Sequence, residues 1–176
     1  MTRDYDIQVE GRAYLLRPDT PKEGKVRDPR PGETENELSE PLRSQVRAAN
    51  LVMRPPRVTP NTMYALEATE YAQQQGKFLE FHHAAYRAYW DEGRDLGDLA
   101  VIQEVARGVD LDADELLQRL ESGYHTQTVL EQYQEALSHG IRGIPTFVVG
   151  NLLFTGAHPY EIFKSAISRF LAGQRA

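Results

Sequence analysis

The chain has 176 residues, of which 40% are hydrophobic and 26% charged, values typical of a folded domain with its own core. Acidic residues outnumber Lys and Arg by 26 to 20, and a net charge of −6 argues against a nucleic-acid-binding surface. The chain contains no cysteine, which excludes disulfides, cysteine-ligated metals and a thiol nucleophile within it. The sequence shows neither an apolar run of roughly 18 residues nor a signal-peptide core, so we expect a cytoplasmic protein without membrane contact.

The first predicted element is a β-strand over residues 7–15, where apolar and polar side chains alternate with a period of two. Gly11 falls on the apolar side of this strand and indicates a bulge or a close approach by another group. Residues 18–37 contain four prolines and two glycines, and they predict an exposed loop after the strand.

The middle of the chain is predicted to be helical. Leu42, Val46 and Ala49 have helical spacing, and a longer helix capped by Thr59 or Asn61 runs to Gly76. The further predicted helices are an aromatic one from Phe78 to the region of Gly93, one after Asp98, one capped by Asp112 or Asp114, and one over residues 126–139.

The pattern changes near the carboxyl end. Two short apolar runs flank Gly150-Asn151, a dipeptide typical of a two-residue hairpin turn. Tyr160, Phe163 and Ile167 then follow helical spacing after Pro159. The tail is therefore predicted to be a β-hairpin followed by a helix.

These motifs together resemble the DsbA superfamily, and within it the FrnE-like branch. The resemblance covers nearly the whole chain. It rests on Gly143-Ile144-Pro145-Thr146-Phe147, Phe154-Thr155-Gly156-Ala157, Pro159-Tyr160, Leu16-Arg17-Pro18 with Pro21 and Gly24, Pro60-Asn61-Thr62, and residues 84–93.

The resemblance implies an α/β fold of the thioredoxin-like DsbA type with a large α-helical insertion. Residues 1–37 and 141–176 would form the partial thioredoxin-like part, and residues 38–140 the insertion. The family opens with a strand and a helix that carries Cys-x-x-Cys at its start, and this chain begins at what looks like the second strand. We therefore expect an N-terminally incomplete fold, from a fragment of a longer protein, whose exposed sheet edge is covered by a homodimer.

The resemblance also implies a substrate-binding loop formed by Gly143, Ile144, Pro145 and Thr146. In the family the bond before this proline is cis, and the preceding residue pairs with extended thiol or peptide substrates, so we expect a cis Ile144–Pro145 bond. Asn61 lies where the family begins its insertion helix, either as a binding residue or as an ordinary helix cap. No catalytic residue is expected in a chain without cysteine.

The five histidines do not predict a metal site. His82 and His83 are adjacent, so on a helix their side chains diverge by about 100°. Glu80 and His83 could share an ion, but no third ligand is evident in the sequence. Neither a metal nor a cofactor is therefore expected.

Three functions remain open. The first is a FrnE-like thiol–disulfide oxidoreductase whose catalytic part lies outside this chain, leaving the chain itself redox-inactive. The second is a glutathione-binding relative without redox chemistry, similar to 2-hydroxychromene-2-carboxylate isomerase. The third is a non-catalytic binding or assembly module that captures an extended segment by strand addition.

Overall fold

The computed structural model describes residues 4–173. Its eleven elements are, in chain order, β1 (Lys25–Val26), α1 (Leu42–Ala48), β2 (Val58–Thr59), α2 (Met63–Gln74), α3 (Phe78–Trp90), α4 (Leu99–Arg107), α5 (Ala113–Ser122), α6 (Thr126–Ser138), β3 (Thr146–Val149), β4 (Leu152–Thr155) and α7 (Tyr160–Gly173). Within this range, no helix is both long and apolar enough to cross a bilayer. The outer ends of the two predicted terminal segments, residues 1–3 and 174–176, lie outside the described part.

The predicted helices are confirmed, and their ends follow local chemistry. Asp98 begins α4 by accepting a hydrogen bond from the amide of Ala100, and Asp112 begins α5 by accepting from two amides. The helices α2 to α5 pack around one hydrophobic core. Its most deeply buried members, each exposed by no more than 1%, are Ala68, Tyr71, Ala72, Phe81, Ile102, Ala106 and Leu116.

The predicted strand over residues 7–15 is wrong, because this segment pairs with no strand among residues 4–173. Glutamine side chains take the place of a neighbouring strand. The amide of Gly11 donates to Gln73 Oε1 at 3.0 Å, and the buried amide of Ala13 donates to Gln132 Oε1 at 2.5 Å. The segment is therefore docked on α2 and α6 by side chains, which satisfies the main-chain donors that a sheet would otherwise bond.

The close approach predicted at Gly11 is confirmed. A Cβ atom at this position would lie 2.2 Å from a ring atom of Phe78. A larger residue would therefore have to displace the Phe78 ring or the segment itself, so contact with α3, and not a bulge, favours glycine here.

The predicted loop over residues 18–37 is more ordered than its composition indicates. Its strand β1 pairs antiparallel with β2, placing Lys25 opposite Thr59. The Glu33 side chain is only 1% exposed and lies 2.6 Å from the Arg27 guanidinium. This part of the chain is thus tied to the residues before α2.

The predicted hairpin and final helix are confirmed. β3 and β4 are antiparallel, with Thr146 opposite Thr155 and Val149 opposite Leu152. Gly150 forms the turn with a φ of 61°, a conformation that glycine adopts without strain. α7 packs on this hairpin through an aromatic cluster of Phe147, Phe154 and Phe163, with ring centroids 4.7–5.5 Å apart.

Candidate functional site

The turn that leads into the hairpin is held in a fixed shape by short hydrogen bonds. The hydroxyl of Thr146 donates to the carbonyl of Gly143 at 2.7 Å, and the amide of Gly156 donates to the carbonyl of Pro145 at 2.8 Å. The Ile144–Pro145 peptide bond is cis, as the resemblance implies. Four of the predicted binding residues, 143–146, therefore form one compact turn at the base of β3.

This turn presents a free main-chain edge. Ile144 is 45% exposed, and its main-chain N–H and C=O have no hydrogen-bond partner within residues 4–173. β3 pairs with β4 on one side and with no other described strand. The turn and the start of β3 can therefore accept an extended segment as an additional strand.

Asn61 lies at a different place, immediately before α2. Its Oδ1 accepts from the amide of Met63 at 3.0 Å, and its Nδ2 donates to the carbonyl of Thr20 at 2.8 Å. The first bond satisfies the first amide of α2, which is close to the capping role that the sequence gave as the alternative, although the residue at the cap position itself is Thr62. Neither bond reaches the 143–146 turn, so the five predicted binding residues fall into two groups.

Asn61 borders a cleft of about 470 Å³ that the sequence did not predict. Its wall is formed by the start of α2, the α5–α6 turn and the loop before β1. The residues that line the cleft include Lys22, Tyr64, Glu67, Gly123 and Thr126.

Glu67 is the most unusual group in this cleft. It is 2% exposed, and its Oε1 accepts a hydrogen bond of 2.9 Å from the Thr126 hydroxyl. Burial raises the pKa of the Glu67 carboxyl, and hydrogen bonds from the Thr126 side chain and the His125 main chain offset part of the rise. The sequence carried one signal of this burial, because Glu67 lies between two alanines of α2, Ala65 and Ala68, and both alanines are buried in the structure.

The histidines form no metal site. His82 lies against Tyr86 with ring centroids 4.5 Å apart, and His83 is exposed. Across residues 4–173, no three histidine, aspartate or glutamate side chains are grouped so that they could hold an ion.

Comparison with known proteins identifies the fold. The family model described as the DSBA-like thioredoxin domain matches residues 1–168. The uncharacterized protein YwbO of Bacillus subtilis is 27% identical over 171 residues, which are 93% of this chain and 82% of that protein.

The solved structures similar to the chain include two with a TM-score of 0.67. The first, a probable DsbA oxidoreductase from Streptomyces coelicolor, is 25% identical, and the match covers 73% of this chain and 57% of that one. The second, a 2-hydroxychromene-2-carboxylate isomerase, is 18% identical and has the same fold, with 76% of this chain and 66% of that one covered. The chain thus spans little more than half the length of the Streptomyces structure.

Proposed function

The chain belongs to the DSBA-like thioredoxin domain family, and we propose that it is a cysteine-free binding member of that family. Its ligand would be an extended peptide bearing a thiol or disulfide, or a glutathione-type molecule, held against the 143–146 turn. The observation that carries the proposal is the unpaired main chain of Ile144, an exposed residue just before the free edge of β3.

The residues present in the chain support ligand binding and not thiol–disulfide exchange. Thiol–disulfide exchange requires a thiolate that attacks a disulfide sulfur, and this chain contains no cysteine. The chain is therefore redox-inactive by itself. What it keeps from the family is the turn that would position a substrate.

Main-chain pairing gives such a turn its affinity. An extended ligand laid beside Ile144 would donate to its carbonyl and accept from its amide, as in strand addition. Gly143 has nothing within 4 Å of the position that a Cβ would occupy, so the approach to the turn is open on that side.

Calorimetric titration with glutathione disulfide tests this proposal, because that probe combines an extended peptide with a disulfide. Ile144→Pro removes the amide donor, and we expect it to weaken binding about tenfold through the loss of one hydrogen bond. Ile144→Ala is the matched control, since it removes the side chain and keeps the amide. Equal affinities for the two variants, or no binding to the unaltered protein, would contradict the proposal.

The same titration separates a glutathione binder from a disulfide-peptide binder. Reduced glutathione shares the peptide chemistry of the probe but lacks the disulfide. Tighter binding of the reduced form would favour the glutathione-type ligand, and tighter binding of the disulfide would favour the peptide substrate.

We also propose that the exposed hairpin edge pairs with a second copy of the chain. Val148 and Leu153, on β3 and β4, are 63% and 50% exposed, which leaves apolar surface beside the unpaired strand. Light scattering at micromolar concentration should then show a dimer that Val148→Lys converts to a monomer. A monomeric unaltered protein would rule this arrangement out.

A further inference from the structure

A groove of about 470 Å³ lies between α1 and the segment that follows it, and we call it the α1 groove. Its lining includes two buried side chains, Leu38 and Val46. It also includes Leu51 and Val52, which are 59% and 57% exposed, so their apolar surface is open to solvent. The groove shares no residue with the 143–146 turn or with the cleft on α2.

The segment after α1 is fixed at both ends and free between them. The amide of Leu51 donates to the carbonyl of Val46 at 3.0 Å, which closes the end of α1. The amide of Arg54 donates to the carbonyl of Trp90 at 2.8 Å. Between these bonds, the amide and the carbonyl of Val52 form no main-chain hydrogen bond among the described residues. A polypeptide ligand can therefore pair with Val52 as it would with an edge strand.

The α1 groove is basic, although the chain as a whole is acidic. Residues 42–57 contain four arginines and no acidic residue, in a chain with a net charge of −6. Arg43, Arg47 and Arg54 line the groove, together with the acidic residue Glu37. Glu37 lies 3.0 Å from the Arg43 guanidinium and 3.7 Å from that of Arg47. Arg54 forms no ion pair within residues 4–173, so positive charge exceeds negative charge in the lining.

We propose that the α1 groove binds an acidic peptide segment of a partner protein, in which Asp or Glu residues flank one apolar side chain. The apolar side chain would pack against Leu51, and the main chain of the ligand would pair with Val52. One carboxylate would pair with Arg47 and another with Arg54, as charge-assisted hydrogen bonds.

A short peptide fits these features better than a long polyanion or an anionic membrane. A nucleic acid or a bilayer would extend beyond residues 42–57 and face the acidic remainder of the chain, which disfavours its approach. A protein also binds a bilayer surface by inserting an apolar face into it, whereas the apolar residues here border a concave groove. The unpaired amide and carbonyl of Val52 match the main chain of a polypeptide.

Nuclear magnetic resonance titration of the unaltered chain tests the groove. The probe is the acetylated and amidated peptide Asp-Glu-Leu-Asp-Glu, and its control has lysine at the four acidic positions. We expect saturable shifts at the amides of Val52 and Met53 with the acidic peptide and none with the basic one. Shifts centred on Ile144 would assign the peptide to the 143–146 turn instead. That result, or the absence of saturable shifts, would overturn the proposal without bearing on the glutathione titration.

Arg54→Glu supplies the decisive variant, because the Arg54 side chain is exposed and its replacement leaves the main-chain bond to Trp90 in place. We expect it to weaken binding of the acidic peptide about fivefold. Arg169→Glu is the matched control, since it makes the same change of charge at an exposed position of α7 outside the groove. At about 0.15 M salt it should change the affinity less than twofold. Equal losses in the two variants would show attraction to overall charge and would refute the site.

Leu51→Ser tests the apolar contact at a residue that is already exposed in the folded chain. The variant should weaken binding about fivefold, because the peptide leucine loses its apolar partner. A probe with serine in place of leucine should lose a similar amount of affinity for the unaltered chain. The two losses should not add when variant and serine probe are combined, since both remove the same contact. Additive losses would show that the leucine packs elsewhere and would contradict the proposal.

Two other occupants of the groove have distinct signatures. Shifts at Val52 and Met53 that grow with protein concentration, in the absence of peptide, would show that a second copy of the chain fills the groove. Cosedimentation with phosphatidylserine vesicles that Arg54→Glu abolishes, without binding of the peptide, would show a membrane contact. Either result would replace the peptide as the occupant and overturn the proposal.

Discussion

Gln132 offers the sharpest test of how the N-terminal segment is held. This glutamine on α6 is 7% exposed and accepts the hydrogen bond from the amide of Ala13, which is 5% exposed. Gln132→Ala removes the acceptor and leaves the amide buried without a partner. From the penalty for an orphaned buried donor, we expect the free energy of unfolding to fall by about 1–3 kcal/mol.

Two measurements identify the cause of that loss. Urea unfolding followed by circular dichroism gives the change in free energy, and the slope with denaturant should stay constant because the exposed surface does not change. Hydrogen exchange should accelerate most at the Ala13 amide. Gln73→Ala should cost less, since the Gly11 amide that it serves is only partly buried.

Gln134 provides the matched control, because it lies on the same helix and is exposed. Gln134→Ala should change the free energy of unfolding by less than about 0.5 kcal/mol. The reasoning is refuted if Gln132→Ala is no more destabilising than Gln134→Ala, or if exchange at Ala13 is unaltered. Either result would mean that the segment does not rely on the side-chain acceptor.

Three further predictions concern charge and capping. Burial raises the pKa of Glu70 above its value in the unfolded chain. The contribution of Glu70 to stability is therefore complete at low pH and is lost as the pH rises through the folded pKa. In thermal melts, Glu70→Gln should be more stable than the unaltered protein at about pH 8 but not at about pH 4. Asp112→Ala should lower the free energy of unfolding by about 1 kcal/mol and Asp98→Ala by less, because Asp112 accepts from two amides and Asp98 from one, as urea titrations can show. Burial and the bond to Glu115 raise the pKa of Tyr71 to about 12, so Tyr71→Phe should remove one tyrosine ionisation near pH 12 from an ultraviolet pH titration. The ionisation of Tyr160, whose pKa the bond to Asp4 also raises to about 12, should remain.

The helices were predictable because their signals are local. Spaced apolar residues, aspartate caps and terminal glycines all act within a few residues of one another. Gly76, predicted as a helix end, follows α2 with a positive φ, and Gly140 follows α6 in the same way. The hairpin turn at Gly150 is equally local, since the dipeptide alone determines the backbone geometry.

The strand over residues 7–15 was not predictable in the same way. Alternation shows that a segment has one buried face, but it does not show what supplies the hydrogen bonds at its edges. Here the acceptors are side chains of Gln73 and Gln132, which lie 62 and 119 residues away from the amides they bond. Only the tertiary structure shows that glutamine side chains replace the hydrogen bonds of a neighbouring strand.

The two candidate sites show the same contrast. The 143–146 turn could be located from a contiguous motif. Its edge is free because β3 pairs only with β4 among the described strands. The cleft could not, because a glutamate on a helix normally indicates a solvated face. Glu67 is buried by contacts with residues near Thr126, 59 positions later in the chain.

The placement of the turn and the cleft makes their contributions to stability separable. The turn belongs to β3, β4 and α7, which pack on one another, whereas the cleft is built on α2 and the α5–α6 turn. Substitutions at sites without shared partners usually have additive effects. Ile144→Pro and Glu67→Gln should therefore change the free energy of unfolding independently of each other. A double variant whose loss of free energy differs from the sum of the two single losses would show that the hairpin is coupled to the helical core.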